Sequence, residues 1–303
     1  MAMNSQRSCP ICGTAEYSRV YAERNIDESQ LSSFSFASRK VPEYMHHRLQ
    51  HCERCDLLFA VPQESLNLGE AYEQASFDSG RESAFAAVTY RRVLGAVLRG
   101  LPHREGLLDI GAGDGAFLKE MLPEGFREVI GLEPSAAPMQ AADSSVRGLL
   151  RQGMFEPGIF EEQRFSLITC FQTIEHVPDP LALCEEAQRL LKPGGVLAII
   201  AHNRRGLVNR LLGRKSPIFD VEHLQLFSQR SIVALLESAG FSSVAATGFS
   251  NTYPLSYWAR LFPLPAGIKR PVMAGVDRTI GGLPVQLPVG NMLCVGTKKR
   301  SSN

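Results

Sequence analysis

The 303-residue sequence contains no run of 18 apolar residues, which excludes a membrane-spanning helix. Met1 to Arg7 lack the apolar core that a signal peptide needs, so a cytoplasmic protein is expected. Net charge is nearly absent: 32 Lys and Arg against 31 Asp and Glu leave +1, and no global field draws the chain to nucleic acid. Internal repeats and low-complexity runs are also missing, which excludes repeat architectures. The most apolar late stretch, Leu255 to Val276, is broken by Arg260, Lys269, Arg270 and several prolines. With 44% apolar and 21% charged residues, the chain is composed as a folded protein. Its length suits one large α/β domain and a small one.

Seven cysteines are present. Four form two Cys-x-x-Cys pairs, Cys9/Cys12 and Cys52/Cys55, whose thiolates can surround zinc in a closed tetrahedron. Four sulfur ligands leave no open position, so such a zinc ion is structural. The 39 residues between the pairs must fold as a small zinc-ribbon-like domain, placed at residues 1–62. His46, His47 and His51 are alternative ligands that are expected to face solvent or the neighbouring domain. Residues 1–60 hold seven basic and seven acidic residues, which disfavours a nucleic-acid-binding ribbon. Cys170, Cys184 and Cys294 lie singly among apolar residues and are read as inert buried thiols.

Residues 63–105 read as a helical connector, with an amphipathic stretch from Ala84 to Leu101. From Gly106 a strand–helix alternation begins, which argues for a mostly parallel sheet covered on both faces. Strands are expected at 107–110, 128–132, 148–152, 165–171, 196–201, 243–247 and 292–296. A helix over 181–191 is closed by Lys192-Pro193-Gly194-Gly195, and Ser228 caps another that runs to Ala239. Residues 253–288, rich in Pro and Gly, read as an irregular insertion.

Leu107-Leu108-Asp109-Ile110-Gly111-Ala112-Gly113-Asp114-Gly115 joins a strand to a helix through a glycine-rich turn. Glycines suit a sharp turn that a ligand approaches closely. Gly111-x-Gly113-x-x-Ala116 formally matches a dinucleotide fingerprint, but a carboxylate at Asp109 sits badly beside a pyrophosphate and well beside an ammonium group. Glu133, ending the second strand, can accept both hydroxyls of a ribose.

This stretch resembles the first motif of class I S-adenosylmethionine-dependent methyltransferases. Gly131-Leu132-Glu133-Pro134 resembles their second, and Gln172-Thr173-Ile174-Glu175-His176-Val177 and Leu191-Lys192-Pro193-Gly194-Gly195 resemble later ones. The resemblance covers roughly residues 106–250. It implies a Rossmann-like seven-stranded sheet in a methyltransferase domain over 106–303, and methyl transfer from S-adenosylmethionine. By that likeness Asp109, Gly111 and Gly113 line the methionine portion, Glu133 holds the ribose, Met154 or Phe155 flanks the adenine, and Phe171 and Gln172 lie beside the sulfonium.

An acceptor proton needs a base, and two histidines are candidates. His176 follows the fourth strand. His223 lies in Phe219-Asp220-Val221-Glu222-His223-Leu224, after the fifth, where Glu222 can act directly or set the local charge. A four-cysteine domain ahead of such a core is similar to the sugar C-methyltransferases, which carry a Glu-His pair like Glu222-His223. That likeness implies a nucleotide-linked or other sugar as small-molecule acceptor. Phe77 and Asp220 stand where those enzymes use tyrosines, which keeps O-methylation open beside C-methylation. Residues 203–215 hold Arg204, Arg205, Arg210, Arg214 and Lys215 without an acid, and residues 254–303 hold seven basic residues and one acid, as a phosphate-bearing acceptor would favour. Tyr257, Trp258, Leu261, Phe262 and Leu264 either pack on the sheet or form a surface that meets a lipid-linked acceptor or a partner chain. The competing readings are a methyltransferase for lipid-linked or polyketide-like acceptors, a nonenzymatic protein retaining the donor pocket, and a dinucleotide oxidoreductase.

Overall fold

The computed structural model describes residues 7–30, 44–61, 80–261 and 279–300, together with 271 and 276. Two sheets organise it. A small antiparallel sheet has the order β1 (Ser18–Ala22), β2 (Arg48–Cys52), β3 (Leu57–Val61), β9 (Gln225–Leu226). The main sheet runs β10 (Ser242–Pro254), β11 (Pro284–Thr297), β8 (Leu191–His202), β7 (Phe165–Phe171), β4 (Gly106–Ile110), β5 (Glu128–Glu133), β6 (Leu150–Gln152). β8, β7, β4, β5 and β6 are parallel to their neighbours, whereas β11 pairs antiparallel with both β8 and β10. This is the Rossmann-like seven-stranded sheet that the motifs implied.

Alternation builds two cores from the same strands. On β8, Leu197, Ile199 and Ala201 enter one cluster, while Ala198 and Ile200 enter the other. β7 is buried along its whole length, as a central parallel strand covered on both faces must be. Asp179 caps the helix Pro180–Leu190 by accepting from Ala182 N–H, and Ser228 forms a reciprocal capping box with Ser231 at the helix Gln229–Ser238.

Several boundaries differ from expectation. The Pro193-Gly194-Gly195 stretch does not form a loop: the chain turns from the helix directly into β8 at Leu191, and Gly194 N–H donates to Lys298 O. The strand expected at 148–152 is shortened to Leu150–Gln152. The last two strands are far longer than 243–247 and 292–296. Tyr253 pairs with Val285 and Pro254 with Pro284, so both ends of the expected irregular insertion 253–288 belong to one hairpin. A register shift between Phe249 and Asn251, together with prolines at the hairpin's far end, breaks the alternation that would have signalled strand. The helix Leu255–Leu261 follows.

The connector is described from Gly80, as helices Gly80–Val93 and Gly95–Gly100. Its first helix lies against the sheet's carboxyl edge and contributes Ser83, Ala86, Ala87 and Tyr90 to the main cavity, so it is part of the site's wall. The small sheet takes its fourth strand from residues 225–226, with Leu58 opposite Leu226. Phe77, Phe262 and Leu264 lie outside the described residues.

Candidate active site and metal centre

A cavity of about 780 Å³ opens at the carboxyl ends of β4, β5, β7 and β8. One end is the glycine turn. Gly111 has φ +76°, and a Cβ there would stand 2.2 Å from Thr173 Oγ1, so only glycine fits. Gly113, at φ +56°, donates its N–H to Glu133 Oε2 at 2.9 Å, and Ser135 N–H donates to Oε1 at 2.9 Å. These bonds hold the Glu133 carboxylate at the cavity wall, while burial pushes its pKa up. Asp109 is buried and accepts from Thr169 Oγ1 at 2.6 Å. Burial pushes its pKa up to about 7, and Glu133 adds to that rise. A cationic ligand group beside Asp109 would reverse the shift.

The other residues proposed for this end line the same cavity. Met154 is 45% exposed and Phe155 half-buried at its rim, and Phe171 is held edge-on between Phe117 at 4.8 Å and Tyr90 at 5.1 Å. Gln172 takes φ +54°, its N–H donates to Ile200 O at 2.8 Å, and its buried Nε2 has no hydrogen-bond partner among the described residues. Asn251 Oδ1 and Asn291 Oδ1, both on cavity-lining residues, are also buried without a partner. All three residues line the one cavity, and unsatisfied buried polar atoms are a common feature of polar ligand sites.

His176 and His223, 47 positions apart in the chain, are brought together with ring centroids 4.8 Å apart. His223 Nδ1 lies 2.9 Å from Ile218 O, which assigns the proton to Nδ1 and leaves the Nε2 lone pair as proton acceptor. His176 Nδ1 lies 3.2 Å from Glu222 O and 3.9 Å from Glu222 Oε2. Burial lowers the pKa of both rings, and for His223 the adjacent His176 lowers it further, so both are neutral near pH 7.

Sequence reasoning missed the group beneath them. Glu175 is fully buried, accepts from His202 N–H at 3.0 Å and lies 3.1 Å from His202 Nδ1. Burial opposes charge on both partners, yet their attraction prevails: Glu175 is lowered and His202 raised. The ring of His202 is 5.5 Å from that of His223. Glu175 was visible within the motif beside His176, but His202, at the end of β8, carries no local signal. Tyr253, Tyr257 and Trp258 form an aromatic wall, with Trp258 Nε1 donating to Val285 O at 2.9 Å. Tyr257 and Trp258 thus line the cavity from within and offer no outer lipid-contact surface.

Charge distribution separates ligand classes. Asp109, Asp114, Glu133, Asp220 and Glu222 line the cavity, and among the described residues no Lys or Arg does. Arg204 and Arg205, expected to favour a phosphate, instead bind buried Asp56. A pyrophosphate-bearing dinucleotide does not fit such walls, whereas a donor carrying both an ammonium and a sulfonium does.

The two cysteine pairs form a second centre. The sulfurs of Cys9, Cys12, Cys52 and Cys55 all lie within 4.8 Å of one another, with Cys12 and Cys52 3.8 Å apart. Sulfurs at tetrahedral Zn–S distances stand about 3.8 Å apart. The donor set and spacing therefore fit zinc. Gly13 N–H donates to Cys9 O and Asp56 N–H to Cys52 O, both at 2.8 Å, so the two knuckles are built alike. Each ends in a left-handed residue, Gly13 at φ +68° and Asp56 at +59°. Of the two placements expected, solvent or the neighbouring domain, His46 takes the second: His46 and His47 are buried, and His46 is edge-on to Phe219 of the large domain. His51 contacts Asp56 at 3.1 Å. Cys170, Cys184 and Cys294 are buried with raised pKa values, as inert thiols are.

A family described as a methyltransferase domain matches residues 81–246. The ubiquinone biosynthesis O-methyltransferase of Klebsiella pneumoniae subsp. pneumoniae is 33% identical over 106 residues, covering 33% of this chain and 43% of its own. The enzyme of the same name from Alkalilimnicola ehrlichii is 34% identical over 124 residues, covering 38% and 49%. The chain thus spans less than half the length of these curated relatives. Among solved structures, the YcgJ protein from Bacillus subtilis aligns with a TM-score of 0.48 and 20% identity, over 70% of this chain and 100% of its own.

Proposed function

The chain belongs to the methyltransferase-domain family, and on that premise we propose that it transfers a methyl group from S-adenosylmethionine to a hydroxyl of an uncharged, ring-bearing small molecule. The single observation that carries this reading is the continuous cavity: acidic and glycine-lined at one end, histidine- and aromatic-lined at the other, with no cation in its wall among the described residues.

The donor supplies an electrophilic methyl on a sulfonium. Asp109 and Glu133 hold its ammonium and ribose, with Met154 and Phe155 against the adenine and Phe171 and Gln172 beside the sulfur. At the far end, Tyr253, Tyr257 and Trp258 present ring faces for an acceptor ring, and the amides of Asn251 and Asn291 receive its hydroxyls. His223 Nε2 takes the proton as the acceptor oxygen attacks, with His176 and Glu222 setting its position and charge. In-line positioning supplies most of the acceleration.

Two features favour oxygen as the acceptor atom: the O-methyltransferase names of the relatives, and Asp220 where the sugar C-methyltransferases use tyrosine. A sugar fits the aromatic and amide walls. A phosphate on it must lie outside the cavity, because the wall holds no cation to meet it. The four cysteines hold one structural zinc ion per chain, and residues 1–62, 63–105 and 106–303 serve as zinc domain, connector and catalytic domain.

Labelled-methyl donor mixed with fractionated extract tests the reaction. Label in the polar small-molecule pool supports a free sugar, label in the lipid fraction supports a lipid-linked ring, and label in neither withdraws the enzyme reading. Separate titrations with S-adenosylhomocysteine and NAD test the donor. Metal analysis of protein purified without chelator tests the zinc, and an absence of zinc removes that centre.

A further inference from the structure

The helix Leu207–Leu212 forms one side of the cavity and has two apolar faces. Val208, Asn209 and Leu212 line the cavity. Asn209 anchors them: it is buried, its Nδ2 donates to Asn203 O at 2.8 Å, and its Oδ1 accepts from Ser216 Oγ at 2.8 Å. On the opposite face, Leu207 and Leu211 are one turn apart and 71% and 77% exposed. They are the two most exposed large apolar side chains among the described residues. Scattered surface leucines are ordinary, but two stacked at the mouth of a cavity are not.

Their surroundings point to one kind of partner. Arg210, Arg214 and Lys215 are exposed, and residues 203–215 contain no acid. Arg204 and Arg205, in the same basic run, are turned inward to Asp56. The outward set on the helix is thus Leu207, Arg210 and Leu211, at i, i+3 and i+4, which places the two leucines and one cation on one side, and exposed Arg214 and Lys215 follow in the turn Gly213–Lys215. The apolar rim continues on β11, where Leu287, 38% exposed, and Pro288 also line the cavity. A partner for this face must accept apolar side chains and carry negative charge over the same area. A bilayer with anionic headgroups does both.

We propose that this face docks on an anionic lipid bilayer. Leu207 and Leu211 enter the boundary between headgroups and acyl chains, Arg210, Arg214 and Lys215 meet the headgroup charges, and the cavity opens toward the lipid. No helix among the described residues is long and apolar enough to span a membrane, so the contact is peripheral and needs both apolar and electrostatic contributions. The inference rests on the preceding reading only for what then enters the cavity: an uncharged hydroxylated ring carried on an apolar chain.

Co-sedimentation of the full chain with vesicles of phosphatidylcholine alone, and of phosphatidylcholine with phosphatidylglycerol, tests the docking. Partition is expected to be about tenfold stronger on the anionic vesicles and to fall in about 0.5 M salt. Leu207→Ser with Leu211→Ser, and separately Arg210→Glu with Arg214→Glu, are each expected to lower it about tenfold. Affinity for S-adenosylhomocysteine should stay within about twofold, since these side chains lie outside the donor end. Equal sedimentation with both vesicle types, or unchanged partition of either double variant, overturns the proposal. So does a dimer that the leucine variant dissociates in the absence of vesicle binding, which would assign the face to a second copy of the chain. Vesicle binding without any S-adenosylhomocysteine binding leaves the docking face standing and removes the donor reading instead.

Discussion

The two ends of the cavity are built in opposite ways. The donor end comes from two adjacent parallel strands and the turn between β4 and its helix, with Asp109, Gly111, Gly113 and Glu133 close in sequence. The acceptor end collects His176, His202, His223, Asn251, Trp258 and Asn291 from six separate segments. The donor end carries buried carboxylates whose pKa values are raised by burial first, with Glu133 adding to the rise at Asp109 and Asp114 to that at Glu133; the acceptor end carries imidazoles, two lowered by burial and one raised by Glu175. On the proposed reading, one end takes a cation that is always the same and the other a proton that must leave. Binding and turnover should therefore respond separately to substitution.

The sharpest separation is expected from His223→Ala. Turnover should fall about a thousandfold, with donor affinity unchanged by calorimetry. Equal activity would return His223 to a packing role and dissolve the distinction. Asp109→Asn reverses the pattern. It keeps the shape and the neighbour Thr169 but removes the charge, and S-adenosylhomocysteine affinity should drop roughly 100-fold. An undiminished affinity would show that the turn binds something else.

Asp56→Asn probes whether the second cysteine knuckle supports the acceptor end. Asp56 accepts from Arg204 and Arg205, which follow His202 by two and three residues, and Ser228 Oγ donates to Asp56 O at 3.1 Å. These bonds hold the Asp56 carboxylate well below the usual range despite its burial. The substitution is expected to cost about 2 kcal/mol of folding stability, less than a fully buried pair because Arg205 is half exposed. Denaturant unfolding measures it. Because the folded pKa is depressed, this contribution is present at neutral pH and is lost as pH falls below the unfolded carboxylate range.

The smallest expected effect is on pH dependence. With Asp109 raised to about 7, its charged form is the minority below that pH and the majority above it. S-Adenosylhomocysteine binding should strengthen about tenfold between about pH 6 and about pH 8, and Asp109→Asn should flatten the profile. A flat wild-type profile would place the donor's ammonium away from Asp109.

How much of this was legible in the chain follows from the same contrast. The donor turn could be read because its demands are local: positive φ at Gly111 and Gly113 and an acid at a strand end all lie within one strand–turn–helix unit. The two cysteine knuckles were legible for the same reason, since Cys-x-x-Cys closes its own turn. His176 and His223 could be named as candidates, but their approach could not, because it is set where the N–H groups of Leu224 and Gln225 donate to Glu175 O and join two distant segments. The basic run at 203–215 misled for a related reason. Composition shows cations without showing where they turn, and the nearby buried Asp56 claims two of them. The closing hairpin was missed because prolines and a register shift hide a strand pattern that its cross-strand partner nonetheless satisfies.

The sequence by itself determined the α/β alternation, the glycine turn with its two acids, the two Cys-x-x-Cys pairs and the absence of a long apolar run. Each is written in short local pieces, a turn, a strand end or a Cys-x-x-Cys pair, where backbone geometry and side-chain chemistry act directly. Only the tertiary structure decided that Glu175 holds His202, that the connector helix and the hairpin wall the cavity, that a strand from residues 225–226 completes the small sheet, and that Leu207 and Leu211 face outward beside cations. Those pairings join distant segments, and burial and charge compensation between them depend on which surfaces the folded sheet brings into contact.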